Sequence, residues 1–159
     1  MSQVSIESLE KALTRIDGLS EDALDKKIEE LTLNQENLLN YILQAGLEYE
    51  NDDLNMYSIY YFAVALEAFN EEGLKLKEIS EDDIDNFQEP FLLALDAIYE
   101  QEDYTPMQDL IEQHHIAQFM MAEIEAVDED GEELDEETKT QLFIVSSGMI
   151  GLLNAAVIR

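Results

Sequence analysis

LFIVSSGMIGLLNAAVI, residues 142–158, holds no charged side chain in a chain of 159 residues whose formal net charge is −30. Twelve of its seventeen positions are Leu, Phe, Ile, Val, Met or Ala, so as a helix it leaves no face for water. A helix apolar all round belongs in a protein core or a membrane. Its length is near the lower limit of about 17 residues for a membrane span. Ser147, Gly151 and Ala155 recur at every fourth position, a small-residue stripe that another helix can approach closely. Three placements compete: a buried core helix, a homodimer seam and a tail anchor. Asn154 in mid-segment and the absence of a basic cluster on the N-terminal side weigh against lipid. The core placement is the expected one.

The rest of the chain is the electrostatic opposite. Between residues 28 and 138 the only positive side chains are Lys75 and Lys77, against 32 Asp and Glu. Carboxylates at this density repel one another, so apolar burial has to supply the cohesion. It has the means: 46% of the residues are hydrophobic, and Leu, Ile and aromatics run through every segment, unlike a disordered acidic tail. A chain of this size makes one domain, residues 1–159. Nucleic acid and anionic membranes need a cationic surface, so direct contact with either is not expected. A basic protein partner is. The excess acid also fits selection for solubility alone, or for life in high salt. The absence of cysteine removes disulfides and thiolate chemistry. The opening residues lack the basic and apolar regions of a secretory signal, which leads us to expect a cytoplasmic protein.

Apolar spacing is helical throughout, with no sustained alternation of the β kind. Ile6, Leu9, Leu13 and Ile16 mark a first helix that Gly18 ends. Ser20 caps a second, carrying Leu24, Ile28 and Leu31, and a third starts near Asn34. Leu54 to Asn70 has apolar or aromatic residues on nearly every face, so it should be central, and Gly73 closes it. Ser80 and Asp83 form a capping-box-like start, and Pro90 predicts a kink or a fresh helix start. Thr105-Pro106 predicts a helix start, with the helix running to about Val127 and Met107, Leu110, His114, Ala117, Met121 and Ile124 as its core seam. That seam makes His114 an interior histidine. An all-α antiparallel or orthogonal bundle of about six to eight helices follows. Leu19–Asp25 resembles Ile79–Asp85, so two similar helical units around the buried C-terminal helix are possible, although capping chemistry alone would produce the same motif.

Chemistry is sparse. Glu112 and His115 have the carboxylate–histidine spacing of di-iron bundles, but there is no third histidine to complete such a site, which leaves a weak metal candidate. Asp128-Glu129-Asp130-Gly131-Glu132 does not fit a calcium loop, because aligning Gly131 puts Ala126 where the first ligand belongs. No phosphate loop, nucleophile elbow or catalytic triad context occurs, so no cofactor and no catalytic residue is expected. Tyr57, Tyr60 and Tyr61 stand at helical spacing and are assigned to packing. The leading expectation is a non-catalytic interaction module that binds a basic protein, as an antidote, an inhibitor or a DNA mimic would. Its expected contact patch is Glu100, Glu102, Asp103, Asp128, Glu129, Asp130, Glu132, Glu133, Glu136 and Glu137. The alternatives are a helical enzyme or small-ligand carrier with an apolar cavity between helices, and an oligomerising structural module. The protein is expected as a monomer or a homodimer.

Overall fold

A computed structural model describes residues 3–126 and 134–158. Eight α-helices occupy them: α1 (Ile6–Asp17), α2 (Glu21–Thr32), α3 (Glu36–Glu48), α4 (Asp53–Glu72), α5 (Glu81–Gln101), α6 (Thr105–Ile111), α7 (His114–Glu125) and α8 (Glu136–Ala156). The described residues contain no strand beyond one isolated antiparallel bridge between Leu76 and Val157. The protein is an all-α helical bundle.

The two charge-poor stretches organise it. α4 packs against α1, α2, α3 and α8, while α8 packs against α3, α5, α6 and α7 as well. Phe62, Ala63, Val64 and Ala65 of α4 are wholly buried, and so are Leu142 and Leu153 of α8. Residues apolar on every side can only be satisfied where helices surround them, which is why these two stretches sit at the centre. No helix among the described residues is long and apolar enough to cross a membrane. The tail-anchor alternative therefore falls. Most of residues 142–154 lie under the chain's own helices, while Ala155 and Ile158 reach the surface. A Cβ on Gly151 would lie 2.5 Å from Cζ of Phe87 in α5, and one on Gly148 would collide with the Tyr41 hydroxyl of α3. Gly151, the middle residue of the small-residue stripe, thus receives an aromatic ring of the same chain. Beyond α8, the Ile158 N–H donates to the Lys75 carbonyl (2.8 Å) and the Lys77 N–H to Ala156 (2.9 Å), tying this end to the α4–α5 connection.

The caps follow the sequence. Ser20 accepts from the Ala23 N–H, and Ser80 and Asp83 form a reciprocal capping box. Gly73 closes α4 in the left-handed conformation, φ 77°, which a residue with a Cβ resists. Two expectations need correction. No fresh helix starts at Pro90, because α5 runs from Glu81 to Gln101 with Pro90 inside it. Pro90 and Asn86 are both exposed, so water can reach the Asn86 carbonyl that proline leaves without a donor. The long helix from Thr105, by contrast, breaks. Glu112 adopts φ 54°, α6 ends, and α7 starts afresh at His114. The break resets the helical register, so the buried residues are Met107 and Ile111 on α6, then Ile116, Met120 and Ile124 on α7. His114 is exposed rather than interior, and Met121 is 41% exposed.

Candidate functional site: an acidic, tyrosine-lined groove

The break at Glu112 is held from far away. The Gln113 side chain accepts from the Val4 N–H (2.9 Å) and donates to Asn154 of α8 (3.0 Å). His115 Nδ1 lies 2.8 Å from the Val4 carbonyl. A carbonyl only accepts, so that nitrogen carries the proton. Glu112 and His115 therefore do not share one helical face, which was the premise of the spacing motif. Among the described residues no three His, Asp or Glu side chains converge as a metal ion would require.

The expected acidic patch is only partly described. Asp128, Glu129, Asp130, Glu132 and Glu133 lie outside the described residues. Glu100, Glu102, Asp103, Glu136 and Glu137 are all exposed. The first three sit at the C-terminal end of α5 and just beyond it, and the last two open α8. The fold brings these ends together, since Tyr99, Tyr104, Glu136 and Phe143 line one hollow of about 190 Å³. Lys139, 7% exposed, reaches Glu125 (3.1 Å) and Glu136 (3.7 Å) at its edge.

That hollow adjoins a larger one. Between α3 and α5, floored by Ile144 and Val145 of α8, runs a groove of about 590 Å³. Tyr41 and Tyr49 line it from α3 and its C-cap, Ile84, Phe91 and Leu92 from α5, with Glu48 and Glu81 among its polar lining. The tyrosines connect the two hollows. Burial raises the Tyr99 phenol, and the neighbouring phenols of Tyr49 and Tyr104 raise it further. Tyr41 is pushed up to about 12 by burial, then by Tyr49 and Glu48. Tyr49 is raised by burial and by Glu48. Leu92, Tyr99 and Tyr104 are each more than half exposed. The result is a band of tyrosine and aliphatic surface edged by carboxylates. Its phenols offer a ligand flat apolar faces and hydroxyl hydrogen-bonding groups.

The raised phenols have a consequence for stability. An acid whose folded pKa exceeds its unfolded value contributes stability that is whole below the unfolded value, about 10 for tyrosine, and lost as pH climbs through the folded one. Alkaline titration followed by phenolate absorbance is therefore expected to show a late, steep step coinciding with loss of helical circular dichroism. Independent ionisation near pH 10 (the usual tyrosine value, roughly) with the helices intact would show that Tyr41 is not buried in this way.

The groove tyrosines were not singled out in the sequence, although a signal was present. Glu48-Tyr49-Glu50, Tyr99-Glu100 and Asp103-Tyr104 each set a tyrosine beside acids at a helix end. Compared with known proteins, the chain matches no family model, no curated protein and no solved structure.

Proposed function

We propose that this protein is a non-catalytic interaction module whose groove receives a basic amphipathic segment of a protein partner. One observation carries the proposal: an apolar, tyrosine-rich channel on the outside of a protein of charge −30, edged by Glu48, Glu81, Glu125 and Glu136. Exposed apolar surface framed by polar residues marks interaction sites, and tyrosine is enriched in them. A helix laid in such a groove buries its apolar stripe and places Lys or Arg over the acidic edge. Steering by the whole negative field speeds the encounter and makes it salt-sensitive. A mimic of nucleic-acid phosphate would need rows of carboxylates but no apolar channel, so the channel favours a helix-like ligand over that variant of the same idea.

The protein has seven Tyr and no Trp, and four of the seven line the groove and the hollow beside it, so tyrosine fluorescence follows binding and Tyr49→Ala assigns the change to the groove. A Leu/Lys amphipathic peptide is expected to bind, and to weaken about tenfold or more between low and physiological salt. A peptide of the same composition scrambled to destroy the apolar stripe should bind much less. Replacing Glu48, Glu81 and Glu136 together by Gln should flatten the salt dependence, whereas Tyr49→Ala should weaken binding at every salt concentration. Equal binding of the scrambled peptide would reduce the effect to polyanion attraction, and undiminished binding in molar salt would remove the electrostatic part of the proposal.

A further inference from the structure

A second hollow, of about 470 Å³, lies between α2 and α4 and shares no lining residue with the groove. Leu24 and Ile28 line it from α2, Met56, Tyr57, Tyr60 and Tyr61 from α4, and Glu123 from α7. Tyr57 lies three and four residues before the other two tyrosines, which is the spacing of neighbours on a helix surface. The rings of Tyr60 and Tyr61 are 6.0 Å apart between centroids and inclined at 60°. Phe119 meets Tyr61 edge-on at 6.4 Å and braces it. No residue of α2 is fully buried, so the wall opposite the tyrosines is lightly held.

The charges around this hollow have one sign. Tyr60 donates to Asp17 Oδ1 (2.7 Å), and Glu123 is near enough to act on both Tyr60 and Tyr61. No Lys or Arg is among the lining residues. Lys27, one position before Ile28, is turned to Glu67 (2.9 Å). Tyr61 is 2% exposed, so its ring belongs to the floor of the hollow rather than its rim. Three tyrosines and one carboxylate thus line a hollow large enough for a small molecule.

We infer that the hollow between α2 and α4 binds an organic ammonium ion bearing apolar substituents. Aromatic faces attract a cation through their quadrupole when it lies within about 6 Å of the ring centre, and methylated ammonium groups are the ligands that aromatic cages suit. Glu123 and Asp17 add charge complementarity at a distance. Glu123 is the one charged group of the lining, and Leu24, Ile28 and Met56 cannot replace the water shell of a metal ion. They can take up N-methyl groups and an alkyl chain, whose hydration is already weak.

The test is titration of the full chain with hexyltrimethylammonium and with its neutral isostere, in which a tert-butyl group replaces the trimethylammonium. Binding is followed by proton NMR. The N-methyl signal is expected to move upfield under the ring currents, and the cation to bind about tenfold more tightly than the isostere. Glu123→Gln and Tyr57→Leu should each weaken it several-fold, with the circular dichroism unchanged as the check on folding. A trimethyllysine peptide forms a second arm. Whether free or peptide-borne cation binds more tightly identifies its source, and either preference agrees with the inference. Equal affinity for the neutral isostere would make the hollow merely apolar, and unchanged binding in both folded variants would place the ligand elsewhere. Either result overturns the inference, as does no binding of any cation. The peptide experiment on the groove is unaffected by all of these outcomes.

Discussion

Gly151→Leu is expected to unfold the protein rather than change its mass. A Cβ at this position would lie 2.5 and 2.9 Å from two ring carbons of Phe87, closer than any real contact. Phe87 is stacked on Phe91 at 5.3 Å, and Phe91 is buried where α5 meets α8. Admitting an isobutyl group means expelling Phe87 and disturbing that stack. Inserted methylenes in a packed core cost about 1–3 kcal/mol, and a whole leucine exceeds that range. The loss consumes much of the roughly 5–15 kcal/mol that holds a domain folded. Gly151→Ala is a milder case. Phe87 borders a hollow of about 230 Å³ into which it can retreat, and alanine returns up to about 1 kcal/mol of helix propensity. Phe87→Leu should then be less harmful in the alanine background than in the parent, the non-additivity expected of residues in contact. Urea midpoints of the four proteins measure this. A Gly151→Leu protein with an unshifted midpoint would contradict the packing of α8 on α5, and one folded at doubled mass would support the dimer seam.

How much of this was readable in advance depends on where the deciding contacts lie. α4 and α8 were legible because each declares itself within its own sequence: neither offers a polar face, so each must be surrounded. Ser20, Ser80, Gly18 and Gly73 were legible for a similar reason, since a cap is a contact across three or four residues. The break at Glu112-Gln113 was not. Neither residue is a breaker, and what holds Gln113 is the Val4 N–H and Asn154, 109 and 41 residues away. A local pattern cannot contain such partners, so the seam was carried straight through and His114 went inside with it. Thr105-Pro106 was legible as a helix start, and α6 begins there with Tyr104 in the cap position.

The candidate site divides in the same way. That Glu100, Glu102, Asp103, Glu136 and Glu137 face solvent follows from their charge. That Tyr41, Tyr49 and Tyr99 form one band, and Tyr57, Tyr60 and Tyr61 another hollow, depends on which helices fail to cover them. α3 and α5 are both laid on α8 and leave a channel between them. α2, with only a partly buried stripe of Leu24, Ile28 and Leu31, leaves the hollow beside α4. Gaps between elements are properties of the assembly. The sequence could name the tyrosines but not the vacancies they border.

Stripping Glu67 of its two cations should produce the other large effect. Its side chain is 0% exposed in the middle of α4, with Arg15 of α1 2.7 Å from Oε1 and Lys27 of α2 2.9 Å from Oε2. Arg15 also contacts Glu71. Burial pushes the Glu67 carboxyl upward, but hydrogen bonds and charge from Lys27 and Arg15 outweigh it and hold the group below the usual glutamate value. It is therefore ionised, and two of the protein's eight Lys and Arg are committed to it. In Arg15→Met with Lys27→Met only the burial remains. A buried carboxylate left without its partners costs about 3–5 kcal/mol, unlike an exposed pair worth at most about 1. The pH dependence should invert as well. In the parent, a lowered folded pKa means that Glu67 contributes stability above its unfolded value of about 4.3, lost as pH falls through the folded one. In the double variant the folded pKa is raised, so the contribution is intact only below about 4.3 and is lost as pH rises. Urea midpoints at neutral and mildly acidic pH should therefore show the gap between variant and parent narrowing on acidification. Glu67→Gln added to the double variant should recover much of the loss at neutral pH, because it removes the stranded charge and keeps the shape. If the double variant costs less than about 1 kcal/mol and its pH profile parallels the parent's, Glu67 is only a surface ion pair. α1 and α2 would then be held to α4 by their apolar stripes alone.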